Sequence, residues 1–119
     1  MIYIKEYQSL FLCWKIGKDI RKYENFCWNP FRRFALLYTY KYGCSEWFSV
    51  NNIKYMKKFY KCFPIYYNEL NKLSFEHYKL LMDVCEVKKR YFYYRIALFC
   101  RSSVLELQQI ISTNVYLRI

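Results

Sequence analysis

The sequence predicts an all-α protein of five or six helices, and three observations support this fold class. Hydrophobic residues recur with a period close to that of a helix along most of the chain. The 119 residues include only two Gly and two Pro, fewer than the turns between many short strands would need. Residues that cap helices stand where the periodic segments begin. Because a chain of this length fits one core, we expect residues 1–119 to form a single compact helical domain.

Two helices are predicted in the first third of the chain. The first runs from about Ile2 to Tyr23 and has Gly17 on its apolar face. A glycine inside a helix costs about 1 kcal/mol relative to alanine, so we expect a second helix to approach closely at this position. Asn29 is predicted to cap the second helix, which extends from Pro30 to Tyr42 and ends at Gly43.

The third predicted helix lies between Ser49, a natural N-cap, and Pro64, a natural stop. One face is apolar and carries residues at helical spacing: Ile53, Met56, Tyr60 and Phe63. The opposite face carries lysines at the same spacing: Lys54, Lys57, Lys58 and Lys61. Together with the second helix and a short connection, this segment predicts a helix-turn-helix-like unit, in which the connection has room for a small two-stranded wing.

Three further helices are predicted after an irregular stretch that ends at Leu73. Ser74 caps a helix to about Val84, and the next helix covers Val87 to Cys100. Ser103 and Glu106 match a capping box that opens the last helix. The predicted inward side chains of the helix from Val87 are Phe92, Ile96 and Phe99. The residues predicted for the main core are Trp14, Gly17, Ile53, Met56 and either Phe59 or Tyr60.

The charge of the chain favours an anionic partner. Lys and Arg number 20 against nine Asp and Glu, which gives a formal net charge of +11. Three stretches contain no acidic residue at all: residues 25–45, 47–68 and 87–105. Basic residues crowded into such stretches create a positive surface field, which suits nucleic acid.

The sequence lacks the residue patterns of catalytic and metal sites. The six cysteines include no Cys-x-x-Cys pair, and a lone histidine, His77, cannot anchor a typical zinc site. The triplet from Glu86 to Lys88 resembles half of a nuclease metal site but lies at a helix connection. Charged residues interrupt every apolar run, and no signal segment opens the chain. We therefore expect a cytoplasmic, non-catalytic protein without metal, cofactor, membrane partner or small-molecule substrate.

Five short motifs, in order along the chain, resemble the N-terminal domain of the bacterial YhcG family. They are Trp14-Lys15-Ile16-Gly17-Lys18-Asp19-Ile20; Phe48-Ser49 with Asn52 to Tyr60 and Phe63-Pro64; Leu73-Ser74 with His77-Tyr78; Arg90 with Phe92-Tyr93 and Ala97; and Ser103-Val104 with Glu106-Leu107, Tyr116 and Arg118. The resemblance implies a helical, helix-turn-helix-like domain that binds DNA and presents it to a C-terminal PD-(D/E)XK nuclease half. The 119 residues do not include that nuclease half.

The chain departs from the family pattern at four positions. Asn51 and Leu105 stand where the family tends to have Arg, Trp47 where Gly is common, and Ser102 where Trp is usual. Losing two arginines weakens the DNA contact that the resemblance implies. Losing the glycine is expected to reshape the turn before the third helix.

These observations lead to a DNA-binding hypothesis. The phosphate contacts are assigned to Lys54, Lys57, Lys58 and Lys61, with help from Arg32 and Arg33. The Tyr55 hydroxyl is placed to meet a phosphate, and Asn51 and Asn52 are placed to pair with adenine.

Two alternatives remain open from the sequence. One is a protein-interaction or homodimerisation module that uses exposed aromatic side chains. The other is an inhibitor of a nucleic-acid enzyme. A long basic surface would favour DNA binding, whereas a broad apolar patch outside the core would favour the interaction module.

Overall fold

The computed structural model describes residues 8–118, and this part of the chain contains six α-helices and no strand. The α-helices are α1 (Leu10–Tyr23), α2 (Pro30–Tyr42), α3 (Val50–Cys62), α4 (Phe75–Met82), α5 (Val87–Cys100) and α6 (Val104–Ser112). Short 3₁₀ helices cover Glu24–Phe26, Asn68–Lys72 and Val115–Arg118. The predicted all-α class is confirmed. The connection before α3 consists of turns, so the optional wing is not formed there.

Contacts between residues divide the chain into two compact units. The first unit ends at Tyr66 and contains α1, α2 and α3, while the second unit begins at Tyr67 and contains α4, α5 and α6. The expectation of one domain over residues 1–119 stays a prediction.

Helix α1 begins at Leu10, later than the start near Ile2 that the apolar pattern suggested. The reason is a cap at Ser9, whose hydroxyl accepts a hydrogen bond from the Leu12 N–H at 3.0 Å. The earlier part of the predicted helix, before Gln8, lies outside the described residues. At the other end, Arg21 and Lys22 occupy the last turn, where positive charge is favourable.

Gly17 sets the distance between α1 and α3. A Cβ atom at this position would collide with the carbonyl oxygen of Met56 and lie 2.7 Å from its carbonyl carbon. The two backbones therefore approach more closely than any side chain larger than hydrogen allows. The close helix approach predicted from Gly17 is confirmed, and around it the core of the first unit includes the fully buried residues Ile53, Met56 and Phe59.

Trp14 lies at the edge of this contact instead of inside the core. Its side chain is half-buried, and its indole N–H donates a hydrogen bond to the Phe63 carbonyl at 2.9 Å. This bond holds the end of α3 against α1. Tyr60 is also half-buried, so Phe59, not Tyr60, is the core residue of that pair.

Helix α2 is fixed at both ends by backbone conformation. Asn29 adopts a left-handed conformation with φ of 50° and makes no side-chain cap, contrary to the predicted N-cap, while Pro30 starts the helix. Gly43 ends it with φ of 79°, as predicted.

Beyond Gly43, the buried Phe48 ring stacks on Tyr38 and Tyr42 at centroid distances of 5.7 and 5.6 Å. This packing anchors the connection that leads into α3.

In the second unit, two capping boxes begin α4 and α6, at the serines that the sequence indicated. Ser103 and Glu106 cap α6 in the usual way. At α4 the partner of Ser74 is His77, whose Nδ1 accepts the Ser74 backbone N–H at 3.1 Å. The other ring nitrogen, Nε2, lies 2.8 Å from the Ser102 carbonyl oxygen, so its N–H donates there. His77 thus has a structural role in the second unit.

The buried face of α5 differs from the predicted one. Phe99 is mostly exposed and Phe92 and Ile96 are half-buried, whereas Tyr93, Tyr94 and Ala97 form the buried face.

The buried tyrosine hydroxyls of the second unit form hydrogen bonds. Tyr78 donates to the Leu70 carbonyl at 2.7 Å, the Tyr94 hydroxyl lies 3.3 Å from that of Tyr67, and the Tyr93 hydroxyl accepts the Tyr116 backbone N–H.

Candidate nucleic-acid interface

Helix α3 presents its lysine face outward because its opposite face is fixed in the core of the first unit. Ser49 starts the helix by accepting the Asn52 backbone N–H at 3.2 Å. With the apolar face buried against α1, helical spacing leaves Lys54, Lys58 and Lys61 exposed. The structure thus brings three of the four predicted lysines to one open surface.

Lys57 is used differently from the other three lysines of α3. Its Nζ lies 2.6 Å from Glu24 Oε2, and its side chain is only 30% exposed. Glu24 follows α1 directly and also has Arg21 at 3.9 Å. Lys57 therefore joins α3 to the segment after α1, and a phosphate contact by Lys57 would have to compete with this ion pair.

An aromatic ring of α2 lies beside the lysine face. The Nζ atoms of Lys54 and Lys57 each lie 5.6 Å from the centroid of the Phe31 ring, a cation–π arrangement. Because Phe31 belongs to the first turn of α2, it places that turn next to α3. The predicted arginines, Arg32 and Arg33, follow Phe31 directly and are both exposed.

The two asparagines at the start of α3 have different surroundings. Asn52 is half-buried, and its side-chain amide donates to the Trp47 carbonyl at 3.0 Å, which closes the turn before the helix. Asn51 is exposed in the first turn. Of the two predicted base-contacting residues, Asn51 has the more open side chain. Tyr55 is half-buried.

The connection between α2 and α3 is longer than in a typical helix-turn-helix. It covers seven residues, from Gly43 to Ser49, whereas the turn of that motif has about three or four residues. Nucleic-acid binding by this unit would therefore depend on the charge of its surface more than on this motif.

Positive charge is concentrated in the first unit. Residues 8–66 contain eleven Lys and Arg against three acids, Asp19, Glu24 and Glu46. One of these acids, Glu24, is engaged by Lys57, and none lies between Trp47 and Asn68. The lysine face of α3 therefore has no acidic neighbour along its own helix, and its field is available to an anion.

The described residues contain no arrangement that indicates metal chemistry. No group of three His, Cys, Asp or Glu side chains within residues 8–118 lies close enough to hold an ion. The triplet from Glu86 to Lys88 lies at the start of α5 and not on a strand. Among the described residues, no helix is long and apolar enough to cross a membrane.

Sequence analysis missed an apolar patch on α2. Leu36, Leu37 and Tyr40 are 61%, 56% and 91% exposed and share one side of the helix, at i, i+1 and i+4. The aromatic side chains of Phe26 and Trp28, just before α2, are also highly exposed. The signal was present in the spacing of these residues, but an apolar stripe on a helix is normally assigned to a core.

The chain matches a known protein family over nearly its whole length. The family model described as DUF1016 N-terminal domain matches residues 5–118. No curated protein and no solved structure gives a significant match to the chain.

Proposed function

Because the chain belongs to the DUF1016/YhcG N-terminal domain family, we propose that it is a non-catalytic module that binds DNA mainly through phosphate contacts. The family match confirms the resemblance seen in the motifs. The family description names a domain without saying what it binds, so the support for this function comes from the surface of α3.

The observation that supports DNA binding most strongly is the row of exposed lysines on α3, Lys54, Lys58 and Lys61. The first and the last of them are seven positions apart, which corresponds to about 10 Å along a helix. A row of this length can reach more than one phosphate of a strand, since B-DNA carries one phosphate per strand every ~3.4 Å along the duplex axis. The buried face of α3 fixes the helix, so a bound strand would meet charges that are already in place.

Neighbouring groups extend this surface in the proposal. Arg32 and Arg33, which follow Phe31 on α2, add two exposed guanidinium groups to the proposed surface. Lys57 positions α3 through Glu24 instead of contacting phosphate. Asn51 is the residue best placed to touch a base edge, since an amide pairs with adenine in the major groove.

The test is a comparison of two triple variants that remove the same charge. One replaces Lys54, Lys58 and Lys61 with alanine, and the control replaces Lys72, Lys88 and Lys89 of the second unit. Fluorescence anisotropy with a labelled duplex at fixed salt should show a loss of about tenfold or more for the first variant and much less for the control. Equal losses in both variants, or no binding by the wild-type chain, would contradict the proposal.

A second candidate function, protein interaction, is favoured by the apolar patch of Leu36, Leu37 and Tyr40. Exposed apolar groups in one place often mark an interface. If the patch joins two copies of the chain, sedimentation should show a dimer that becomes a monomer in Leu37→Glu. A monomer at all concentrations, in both the wild type and the variant, would argue against self-association.

A further inference from the structure

The first unit has a groove on α1. None of the residues assigned to phosphate contacts lines this groove. Its volume is about 530 Å³, within the range of small-ligand sites. Aromatic side chains form one part of the lining: Phe11, Trp14 and Tyr60. Basic side chains, among them Lys15, Lys18 and Lys22, form the other part.

The aromatic part of the groove is held in a defined geometry. The hydrogen bond from the Trp14 indole to the Phe63 carbonyl fixes the indole ring. Phe11 stacks on Trp14 with centroids 6.1 Å apart and planes 20° apart, while Tyr60 meets Trp14 edge-on at 5.4 Å. Phe11 is nevertheless 50% exposed, so part of a ring whose orientation is already set faces the groove. A planar ligand that stacks there would immobilise few additional side chains, so binding would cost little conformational entropy of the protein.

The charged part of the groove favours an anion next to the rings. Four basic residues line the groove against a single acid, Asp19. The Nζ of Lys18 lies 5.3 Å from the Trp14 ring centroid, so a positive charge is directly beside the aromatic surface. A purely apolar ligand would gain nothing from these cations. A ligand with a flat ring and a nearby negative group uses both parts of the lining.

We propose that this groove binds an unpaired nucleobase of single-stranded DNA together with its adjacent phosphate. Stacking needs an open face of the base, which a paired base inside a duplex does not offer, whereas single strands combine aromatic stacking with backbone neutralisation. The inference depends on the proposed nucleic-acid function for the class of ligand. It uses α1, however, and not the lysine row of α3, so the two surfaces can be tested separately.

The first experiment measures binding of an oligothymidylate and of a duplex by the same set of variants. Phe11→Ala should weaken oligothymidylate binding by about tenfold, the loss expected for one stacked base, and leave duplex binding nearly unchanged. The double change Lys15→Gln with Lys18→Gln should also act mainly on the single strand. The control is Phe99→Ala, which removes an exposed phenylalanine ring of the second unit, outside the groove, and should change neither affinity.

The second experiment does not depend on the folding of a variant. Photocrosslinking of the wild-type chain to an oligonucleotide that carries 5-iododeoxyuridine should attach the base to Phe11, Trp14 or Tyr60, as located by mass spectrometry. Crosslinks that map only outside the groove would overturn the proposal, as would equal losses in Phe11→Ala and Phe99→Ala.

The outcomes separate this inference from the proposed function. Binding of the duplex without binding of the oligothymidylate would leave the role of α3 intact and refute the groove. Binding of the oligothymidylate that depends on Phe11, without duplex binding, would support the groove and refute the role of α3. Binding of neither ligand would refute both.

Discussion

The two units of the chain differ in what their polar side chains do. In the first unit, residues 8–66 carry eleven basic and three acidic side chains, and its lysines on α3, apart from Lys57, point outward. In the second unit, residues 67–118 carry eight basic and five acidic side chains. There, His77 and Tyr78 direct their hydrogen bonds to the backbone of their own unit.

This difference indicates a division of roles. Helices α1 and α3 of the first unit meet in a close backbone contact at Gly17, which needs no charge. Of the lysines on α3, Lys57 pairs with Glu24, while Lys54, Lys58 and Lys61 have exposed side chains. In the second unit, polar groups cap the starts of helices and form hydrogen bonds with buried tyrosine hydroxyls. We therefore expect substitutions of polar residues to affect mainly stability in the second unit and mainly binding in the first.

The largest effect is expected at the contact between α1 and α3. Gly17→Val should lower the free energy of unfolding by about 3 kcal/mol, because the new side chain would collide with the Met56 backbone. Thermal or urea unfolding measures this loss. Gly43→Ala is the control, because a Cβ atom at Gly43 would meet no neighbouring atom. The alanine would be strained only by the positive φ of this position and should cost about 1 kcal/mol. A wild-type stability for Gly17→Val would mean that α1 and α3 lie further apart.

The second unit should respond strongly to the loss of His77. His77→Ala removes both the bond to the Ser74 backbone and the bond to the Ser102 carbonyl, and should cost about 2 kcal/mol. Glu76→Ala, in the same turn, removes the pair between the exposed Glu76 carboxylate and Lys79 and should cost less, under about 1 kcal/mol. Similar melting temperatures for the two variants would show that the capping box contributes little.

Alkaline pH should destabilise the second unit through Tyr94. Burial, together with the hydrogen bond to Tyr67, raises the pKa of the Tyr94 hydroxyl above its ordinary value. The unfolded chain loses this proton near pH 10 and the folded chain keeps it, so stability is complete below about pH 10 and falls as pH rises further. The loss attributable to Tyr94 should begin near pH 10 and grow as pH rises to 11.

Urea unfolding between pH 8 and pH 11 measures this dependence, with Tyr94→Phe as the comparison. The phenylalanine variant should lose less stability over this interval than the wild-type chain. Identical pH profiles for the two proteins would show that Tyr94 titrates normally in the folded state.

The smallest effect on stability is expected among the lysines of α3. Lys57→Ala should cost about 0.5–1 kcal/mol because it breaks the pair with Glu24, whereas Lys54→Ala should cost less. A double-mutant cycle between Lys57 and Glu24 isolates this interaction. A coupling energy near zero would return Lys57 to the group of lysines available for phosphate.

Local signals made much of the fold predictable. Ser49, Ser74 and Ser103 were recognised as caps because each precedes a periodic segment, and Gly17 revealed a close helix contact because a glycine is unfavourable inside a helix. The cap at Ser9 was missed because apolar residues continue towards the N-terminus with a similar period.

The buried face of α5 could not be predicted because the helix is aromatic or aliphatic on several sides. Its sequence gives no strong preference between Phe92 with Ile96 and Tyr93 with Ala97, so packing against the rest of the unit decides which pair is buried.

The candidate site was predicted in part. Helical spacing alone brings Lys54, Lys58 and Lys61 to one face, and the structure places them there. Spacing could not reveal that Lys57 pairs with Glu24, or that Asn52 closes the turn at Trp47, because both depend on how distant or preceding segments fold.

The salt dependence of duplex binding tests the central proposal most directly. A protein that contacts phosphates releases counterions, so the logarithm of its affinity falls with the logarithm of salt concentration by about 0.9 per contact. Replacing Lys54, Lys58 and Lys61 with alanine should lower this slope by about three units, whereas the charge-matched variant of Lys72, Lys88 and Lys89 should keep it. An unchanged slope in the α3 variant would contradict the proposal that this helix binds the DNA backbone.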